Sequence, residues 1–303
     1  MLDHAKPFQV SPLHPVFAAQ ITGLDLTQPA NTLPARELKS AIDQYGVVVY
    51  RNAAPPSDAQ HVEFSRLFGP VEVGPMFKVT GDVKKRIDNP ALVDVGNLDH
   101  EGNIMKPDNR RMMFRKGDRL WHTDMSFHPN RATYSLLLGH EIPPEGPGGD
   151  TLFADMRAAY DALPAEMKTM IENLTVEHSI WHSRSLAGFP AATQEELDSR
   201  PPTHHKLVHV HPGSGRKTLY IAAHASHIVG WPVELGRGLI KSLMKFATQD
   251  QFVYRHQWKL GDLLMWDNMQ TMHRATDFED HLYRRDMRRA TCREKPVDIS
   301  KAA

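Results

Sequence analysis

The sequence contains a single cysteine, Cys292, among its 303 residues. One thiol cannot form an internal disulfide, which excludes a disulfide scaffold and a cysteine-rich zinc module and fits a reducing compartment. The chain also lacks any run of about 18 apolar residues that could span a membrane. Its first residues lack the charged start and apolar core of a signal peptide, so we expect a cytoplasmic protein without a membrane partner.

A charge excess is absent as well, because 36 basic and 36 acidic side chains balance to a formal net charge of zero. Proteins that bind nucleic acid or anionic membranes usually carry a clustered positive excess, so neither partner is expected. Internal repeats, low-complexity tracts and obvious linkers are also missing. The sequence therefore predicts one domain over residues 1–303, and it leaves room for a homo-oligomer.

Short periodic segments predict the secondary structure. The segment "ELKSAIDQYG" has helical spacing, the run "VVVYRN" reads as a buried strand, and "SDAQHVEFSRLFGP" begins a second helix at Ser57. Further strands are expected in "ATYSLLLGHEI" and "GGDTLF", on both sides of "PGSG" and on both sides of "KLGD". The fold class predicted is mainly β with peripheral helices, built on a double-stranded β-helix (jelly-roll) core.

The periodic pattern breaks down over residues of about 79–120, where charged and turn-forming segments interrupt every apolar stretch. Long irregular segments of this kind often form lids over binding sites, although a solvated surface excursion is the alternative. The apolar residues that such a lid offers to a substrate are Met105, Met112, Met113 and Phe114, and the alternative is that they belong to the core.

The first candidate for chemistry is a set of metal ligands. The segment "WHTDMSF" places His122 and Asp124 two residues apart, and on a strand both side chains would share one face. A chain with 18 histidines contains such a pair by chance, so the pair alone is weak. His273, in "MWDNMQTMHR", adds a third ligand if the fold brings it near. Two histidines and one carboxylate form the facial set of non-haem Fe(II) oxygenases, whereas the same ligands also suit a hydrolytic zinc.

The second candidate is a pair of arginines in "YRRDMRRATC". On a strand, Arg285 and Arg289 share one face about 13 Å apart, at about 3.3 Å per residue. A guanidinium grips a carboxylate through two parallel hydrogen bonds, most strongly in a partly dry pocket. A solvated basic edge strand is the alternative. The Thr151 hydroxyl in "GGDTLF" is a further donor for the same carboxylate, or simply a good strand former.

These motifs, together with "ITGLDL", "DMRAAYDALP" and "GSGRKTLYIAAHASH", resemble the Fe(II)/2-oxoglutarate-dependent taurine/2,4-dichlorophenoxyacetate dioxygenase family, and most closely its aryloxyalkanoate branch. The resemblance implies Fe(II) with 2-oxoglutarate and O2 as co-substrates. The residues that it implies are iron ligands His122, Asp124 and His273, 2-oxoglutarate contacts Thr151, Arg285 and Arg289, and substrate contacts Arg289, Lys78, His211, His224 and His227. The family's arginines fall one position closer to the last histidine, which leaves Arg284 as the alternative to Arg285.

The activity that the resemblance implies is hydroxylation of a small organic anion, such as the herbicide 2,4-dichlorophenoxyacetate. Ether cleavage would then give a phenol and glyoxylate or a keto acid, while 2-oxoglutarate and O2 give succinate and CO2. A taurine or alkylsulfonate dioxygenase that releases sulfite is the alternative within the family. Outside it, a zinc-dependent hydrolase and a non-catalytic jelly-roll that binds anions remain open.

Overall fold

The computed structural model describes residues 8–51, 55–74, 85–107, 109, 111–112, 115–146 and 148–295, which form fifteen strands and seven α-helices. The strands are β1 Gln9–Pro12, β2 Ala19–Thr22, β3 Val47–Tyr50, β4 Val93–Asp94, β5 Ala132–Glu141, β6 Thr151–Asp155, β7 Thr175–His178, β8 Thr203–Lys206, β9 Val208–Val210, β10 Lys217–Leu219, β11 Ala225–Ile228, β12 Val253–His256, β13 Leu263–Asp267, β14 Thr271–Ala275 and β15 Asp286–Arg293. The helices are α1 Ala35–Tyr45, α2 Asp58–Arg66, α3 Met156–Asp161, α4 Ala165–Ile171, α5 Ile180–Leu186, α6 Gln194–Ser199 and α7 Val233–Ala247.

The largest sheet has seven strands in the order β1-β2-β3-β13-β5-β15-β4. Its pairs are antiparallel except for the parallel pair β2 and β3. The central strand β13 is apolar on both faces, and all five of its residues are buried. A strand covered on both faces is expected to show such a continuous apolar run.

A second sheet of three strands, β12-β6-β14, lies opposite the large one. Leu137 and Trp266 of the large sheet share one buried cluster with Phe153 and Tyr254 of the small sheet. Two further small sheets, β11-β7-β8 and β10-β9, complete the strand arrangement. The space between the two facing sheets is therefore where inward side chains of both can meet.

Helices cover the outer faces of these two sheets. Helix α1 ends at Gly46, whose φ of 69° is a conformation that glycine adopts without strain. Helix α2 begins with a capping box, in which Ser57 and Gln60 satisfy each other's backbone N–H groups. Both helices pack on the large sheet, while α3 and α7 contribute to the core outside the small one. The coarse prediction of a mainly β protein with helices outside the sheets is confirmed.

The strands predicted on either side of "KLGD" are confirmed, and they enter different sheets, since β12 pairs with β6 and β13 pairs with β3 and β5. The segment around Asp124 is a turn rather than a strand, since Met125 has a φ of 54°. Within the described ranges, no helix combines the length and apolar character that crossing a bilayer requires.

Candidate active site

His122, Asp124 and His273 converge on one point. One ligand atom from each lies within 4.8 Å of the other two, and all three residues are buried. The Nε2 atom of His273 lies 4.0 Å from Oδ2 of Asp124. An ion with bonds of about 2.1 Å would draw these two atoms closer together, because neighbouring ligands on one octahedral face lie about 3 Å apart. The predicted convergence of these three side chains is therefore present in the fold.

A backbone bridge sets the two histidines side by side. His122 donates its N–H to the carbonyl of His273 at 2.9 Å, and His273 donates to the carbonyl of His122 at 2.7 Å. Residues that exchange both hydrogen bonds point their side chains to the same face, and the ring centroids lie 4.1 Å apart. The Leu120 carbonyl accepts from Nδ1 of His122 at 2.7 Å, so Nε2 of His122 keeps its lone pair for a metal.

The carboxylate of Asp124 is held by hydrogen bonds at both oxygens. Ser135 donates its hydroxyl to Oδ2 at 2.6 Å, and Arg289 donates to Oδ1 at 2.8 Å. Behind Ser135, the Asn268 amide donates to the serine oxygen at 3.0 Å and accepts from the Asp124 backbone N–H at 3.1 Å. The indole N–H of Trp266 also donates to Asn268 at 3.0 Å. This chain of bonds fixes the orientation of the carboxylate.

The charge of Asp124 is stabilised despite its burial. Burial alone would raise the pKa of this carboxyl, but Arg289, His273, His122 and the Ser135 hydroxyl together hold the pKa well below its ordinary value. The group therefore stays an anion at neutral pH. Two imidazoles and one oriented carboxylate are donor types that a divalent transition metal accepts.

Ser135 and Asn268 were not identified from the sequence. Each gave only a weak signal: Ser135 is a polar residue within the apolar run "SLLLG" of β5, and Asn268 looked like a turn residue after β13. The two residues are 133 positions apart along the chain, and Asn268 is 144 positions from Asp124. Only the pairing of β5 with β13 brings them together.

We expect Ser135→Ala to weaken binding of Mn(II) or Fe(II) by about tenfold, because Asp124 loses the donor that orients its metal-facing oxygen. Anaerobic calorimetry on the folded variant measures this change. Ser183→Ala is the matched control, since the Ser183 hydroxyl is bonded to the Ile180 carbonyl in α5. Unchanged metal affinity in Ser135→Ala would contradict the orienting role.

Arg285 is buried, with 3% of its surface exposed, and burial lowers the pKa of its guanidinium to about 9. Its side-chain contacts are a 3.4 Å hydrogen bond to the Gly149 carbonyl and the face of the Phe278 ring at 5.8 Å. No carboxylate of the described residues forms an ion pair with it, and its Nε atom has no hydrogen-bond partner there. A buried cation in this state is stabilised by an anion that the described residues do not supply.

Arg284, the alternative, points the other way. It is nearly half exposed and forms an ion pair with Glu141 at 2.8 Å. Of the two arginines, the geometry therefore favours Arg285 for a buried anion. Thr151 begins β6, two residues after Gly149, on the same face of the strand as Phe153, which is paired with His273.

The predicted substrate contacts lie in different surroundings and differ in burial. His224 is buried beside the triad: its ring lies 6.2 Å from that of His122, and its Nδ1 lies 3.1 Å from the Ser126 hydroxyl. Burial, followed by the nearby His122, lowers the pKa of His224 to about 3, so its imidazole is neutral. His227 is partly exposed and lies 2.9 Å from the Ser226 hydroxyl. Lys78 lies outside the described residues.

His211 belongs to a second cluster, with Asp43 and Asp267, whose ligand atoms also lie within 4.8 Å of one another. The Ser214 backbone N–H donates to Nδ1 of His211 at 3.0 Å, so the imidazole proton is on Nε2 and points to Asp267 at 2.9 Å. A metal would need a lone pair on that Nε2. The carboxylate of Asp43 also already forms an ion pair with the ammonium of Lys39 at 2.9 Å. Both ring nitrogens of His211 thus have partners within the protein, and this arrangement does not favour the predicted substrate contact.

The predicted lid, over residues of about 79–120, is described in part. It contains β4 and a 3-10 helix at Gly117–Arg119, with Met105 buried and Met112 half-buried. Met113 and Phe114 lie outside the described residues. The role of the segment as a lid stays a prediction.

Comparisons with known proteins give a consistent result over nearly the whole chain. The family described as "Taurine catabolism dioxygenase TauD, TfdA family" matches residues 9–291. The chain is 41% identical, over 95% of its length and 98% of the relative's, to the "Alpha-ketoglutarate-dependent 2,4-dichlorophenoxyacetate dioxygenase" of Cupriavidus pinatubonensis. It is 31% identical, over 90% of both chains, to the "(S)-phenoxypropionate/alpha-ketoglutarate-dioxygenase" of Sphingobium herbicidovorans.

A solved structure is similar to the whole fold. The crystal structure of AAD-2 in complex with Mn(II) and N-oxalylglycine matches with a TM-score of 0.88 and 42% sequence identity. The match covers 95% of this chain and 98% of the AAD-2 chain. The similarity thus extends from sequence motifs to the arrangement of the strands.

Proposed function

Because the chain belongs to the taurine catabolism dioxygenase (TauD, TfdA) family, we propose that it is an Fe(II)- and 2-oxoglutarate-dependent dioxygenase that hydroxylates a small organic anion. The observation that carries the proposal is the combination of a buried His122, Asp124 and His273 set with Arg285, a buried cation without a carboxylate partner in the described chain. The two facing sheets are proposed to form a double-stranded β-helix of one domain, covered by the segment of about 79–120.

The metal would be held by the imidazoles of His122 and His273 and by the carboxylate of Asp124. Fe(II), when bound, supplies the activation of dioxygen that no amino-acid side chain provides. The chain contributes orientation: the Leu120 carbonyl fixes the tautomer of His122, and Ser135 fixes the carboxylate. Asp124 and His273 are buried, which limits the access of bulk water to that centre.

The co-substrate 2-oxoglutarate is a dicarboxylate, and the chain offers a cation for each end. Arg285, with the hydroxyl of Thr151, is proposed to bind the carboxylate that is remote from the metal. Arg289 donates a hydrogen bond from Nη1 to Asp124, while its buried Nε has no hydrogen-bond partner among the described residues. That Nε is available to the carboxylate nearer the metal or to the anionic head of the substrate.

The substrate proposed is an aryloxyalkanoate, such as 2,4-dichlorophenoxyacetate, on which the relative from Cupriavidus pinatubonensis acts by name. Hydroxylation of the carbon that bears the aryloxy oxygen gives a hemiacetal, which collapses to a phenol and glyoxylate. One oxygen atom of O2 enters this product, and the other enters succinate as 2-oxoglutarate loses CO2. His224 is the proposed polar contact beside the triad, because it is buried and neutral there.

A screen of succinate release tests the proposal, with phenoxyacetate, both phenoxypropionate enantiomers and taurine as substrates and Fe(II) and 2-oxoglutarate present. We expect the phenoxy acids to give the fastest release, with an equal amount of phenol. The His122→Ala variant is the control and should release no succinate above background.

Other outcomes separate the alternatives. Fastest turnover of taurine, with release of sulfite, would favour a sulfonate dioxygenase. Absence of succinate with every substrate, together with retention of zinc through purification, would favour a hydrolase and overturn the proposal.

A further inference from the structure

A second arginine, Arg115, contacts the same aromatic ring as Arg285 and comes from the segment predicted to be a lid. The guanidinium carbon of Arg115 is 5.7 Å from the centroid of the Phe278 ring, and that of Arg285 is 5.8 Å from the same centroid. Both distances are within the range of a cation–π contact. One aromatic ring therefore contacts two cations that come from stretches of the chain 170 positions apart.

Neither cation has a carboxylate of the described residues in ion-pair contact, although the charge of Asp118 acts on both and opposes the lowering of their pKa. The nearby acids act elsewhere or from a distance: Asp280 pairs with Arg119 at 3.7 Å. Burial lowers the pKa of Arg115. The pKa of Arg285 is lowered first by burial and second by the positive charge of Arg115. Two partly desolvated positive charges repel each other, and an anion that lies between or beside them offsets this repulsion.

The surroundings hold this pair in a fixed place. Gly149, whose carbonyl accepts from Arg285, donates its own N–H to the Asp277 carbonyl at 3.1 Å, next to Phe278. The Arg115 backbone donates to the Arg111 carbonyl at 3.2 Å and accepts from the Asp118 N–H at 3.1 Å. The backbones that carry the two arginines and the ring are thus anchored by hydrogen bonds.

We propose that Arg115 is the second guanidinium of the co-substrate site and that it binds, together with Arg285, the carboxylate of 2-oxoglutarate remote from the metal. This inference rests on the proposed function and deepens it. Two guanidiniums offer four parallel N–H donors to one carboxylate, so the site selects a 2-oxo acid with a second negative charge.

The test compares 2-oxoglutarate with 2-oxopentanoate, which has the same chain length but lacks the remote carboxylate. Anaerobic calorimetry on the full-length, Mn(II)-loaded protein gives the Kd of each acid. In Arg115→Met, we expect the Kd of 2-oxoglutarate to rise by about tenfold, the loss of one charge-assisted interaction, and the Kd of 2-oxopentanoate to stay within about twofold. Arg115→Lys, which keeps the charge but not the fork, should lie between wild type and Arg115→Met.

Arg119→Met is the matched control, because Arg119 lies in the same segment but is ion-paired with Asp277 at 2.8 Å. Its two Kd values should equal those of the wild type. An Arg115→Met protein that binds 2-oxoglutarate like the wild type, or that weakens both acids equally, overturns the inference. Arg285→Met is measured in parallel. If that variant binds 2-oxoglutarate like the wild type, or if the wild type binds the two acids equally well, the proposed co-substrate site itself is overturned.

Discussion

His273→Ala is expected to lose succinate release by about a thousandfold or more and to lose stoichiometric binding of Fe(II) or Mn(II). The variant removes one of three protein ligands from a buried centre, and the remaining pair lacks the geometry that holds a divalent ion firmly. Metal content by elemental analysis and turnover with a phenoxy acid are the two measurements. Retention of both would mean that the convergence of His122, Asp124 and His273 serves only the fold.

The control for that variant is His204→Ala. His204 is an exposed histidine of β8, and its 3.7 Å contact to Glu177 does not involve His122, Asp124 or His273. It should keep wild-type metal content and activity, because loss of an exposed contact of this kind changes stability by less than about 1 kcal/mol. The comparison separates loss of a ligand from loss of any histidine.

Arg285→Met should raise the Kd of 2-oxoglutarate by about a hundredfold. Methionine keeps much of the side-chain volume but removes the charge and both parallel donors, and an unpaired buried carboxylate is costly. The effect is larger than that expected for Arg115, because Arg285 is 3% exposed and Arg115 is only half-buried. Calorimetry with Mn(II) in the absence of oxygen gives the Kd directly.

The matched variant is Arg284→Met, one position earlier in the chain. Arg284 is bonded to Glu141 and to the Gly102 carbonyl on the protein surface, so its loss should leave the Kd within about twofold of wild type. If Arg284→Met weakened 2-oxoglutarate binding and Arg285→Met did not, the alignment of the arginines would have to move by one residue.

Local elements were well predicted wherever one short segment contains its own signal. The cap at Ser57, the end of α1 at Gly46 and the strands on either side of "PGSG" depend on contacts within a few residues. The pairing of strands could not be predicted where partners are distant along the chain. Nothing in "KLGD" reveals that the strands on its two sides enter different sheets, because that choice depends on β3, β5 and β6.

The candidate site shows the same division. The chemical types of its residues were predicted because histidine, aspartate and arginine in ordered motifs have few common uses together. The structure also separated residues that looked equivalent: His224 lies beside His122, whereas His211 is bonded to Asp267 in another cluster. Burial and hydrogen-bond partners made that distinction, and neither can be read from spacing.

The sequence by itself determined the ligand types, the mainly β class and the family, since these depend on which side chains are present and on periodicities of a few residues. The tertiary structure alone decided that Ser135 and Asn268 orient Asp124, that Arg285 rather than Arg284 is buried, and that Arg115 shares a ring with it. The physical reason is that these contacts and the burial of Arg285 exist only after strand register and packing are fixed.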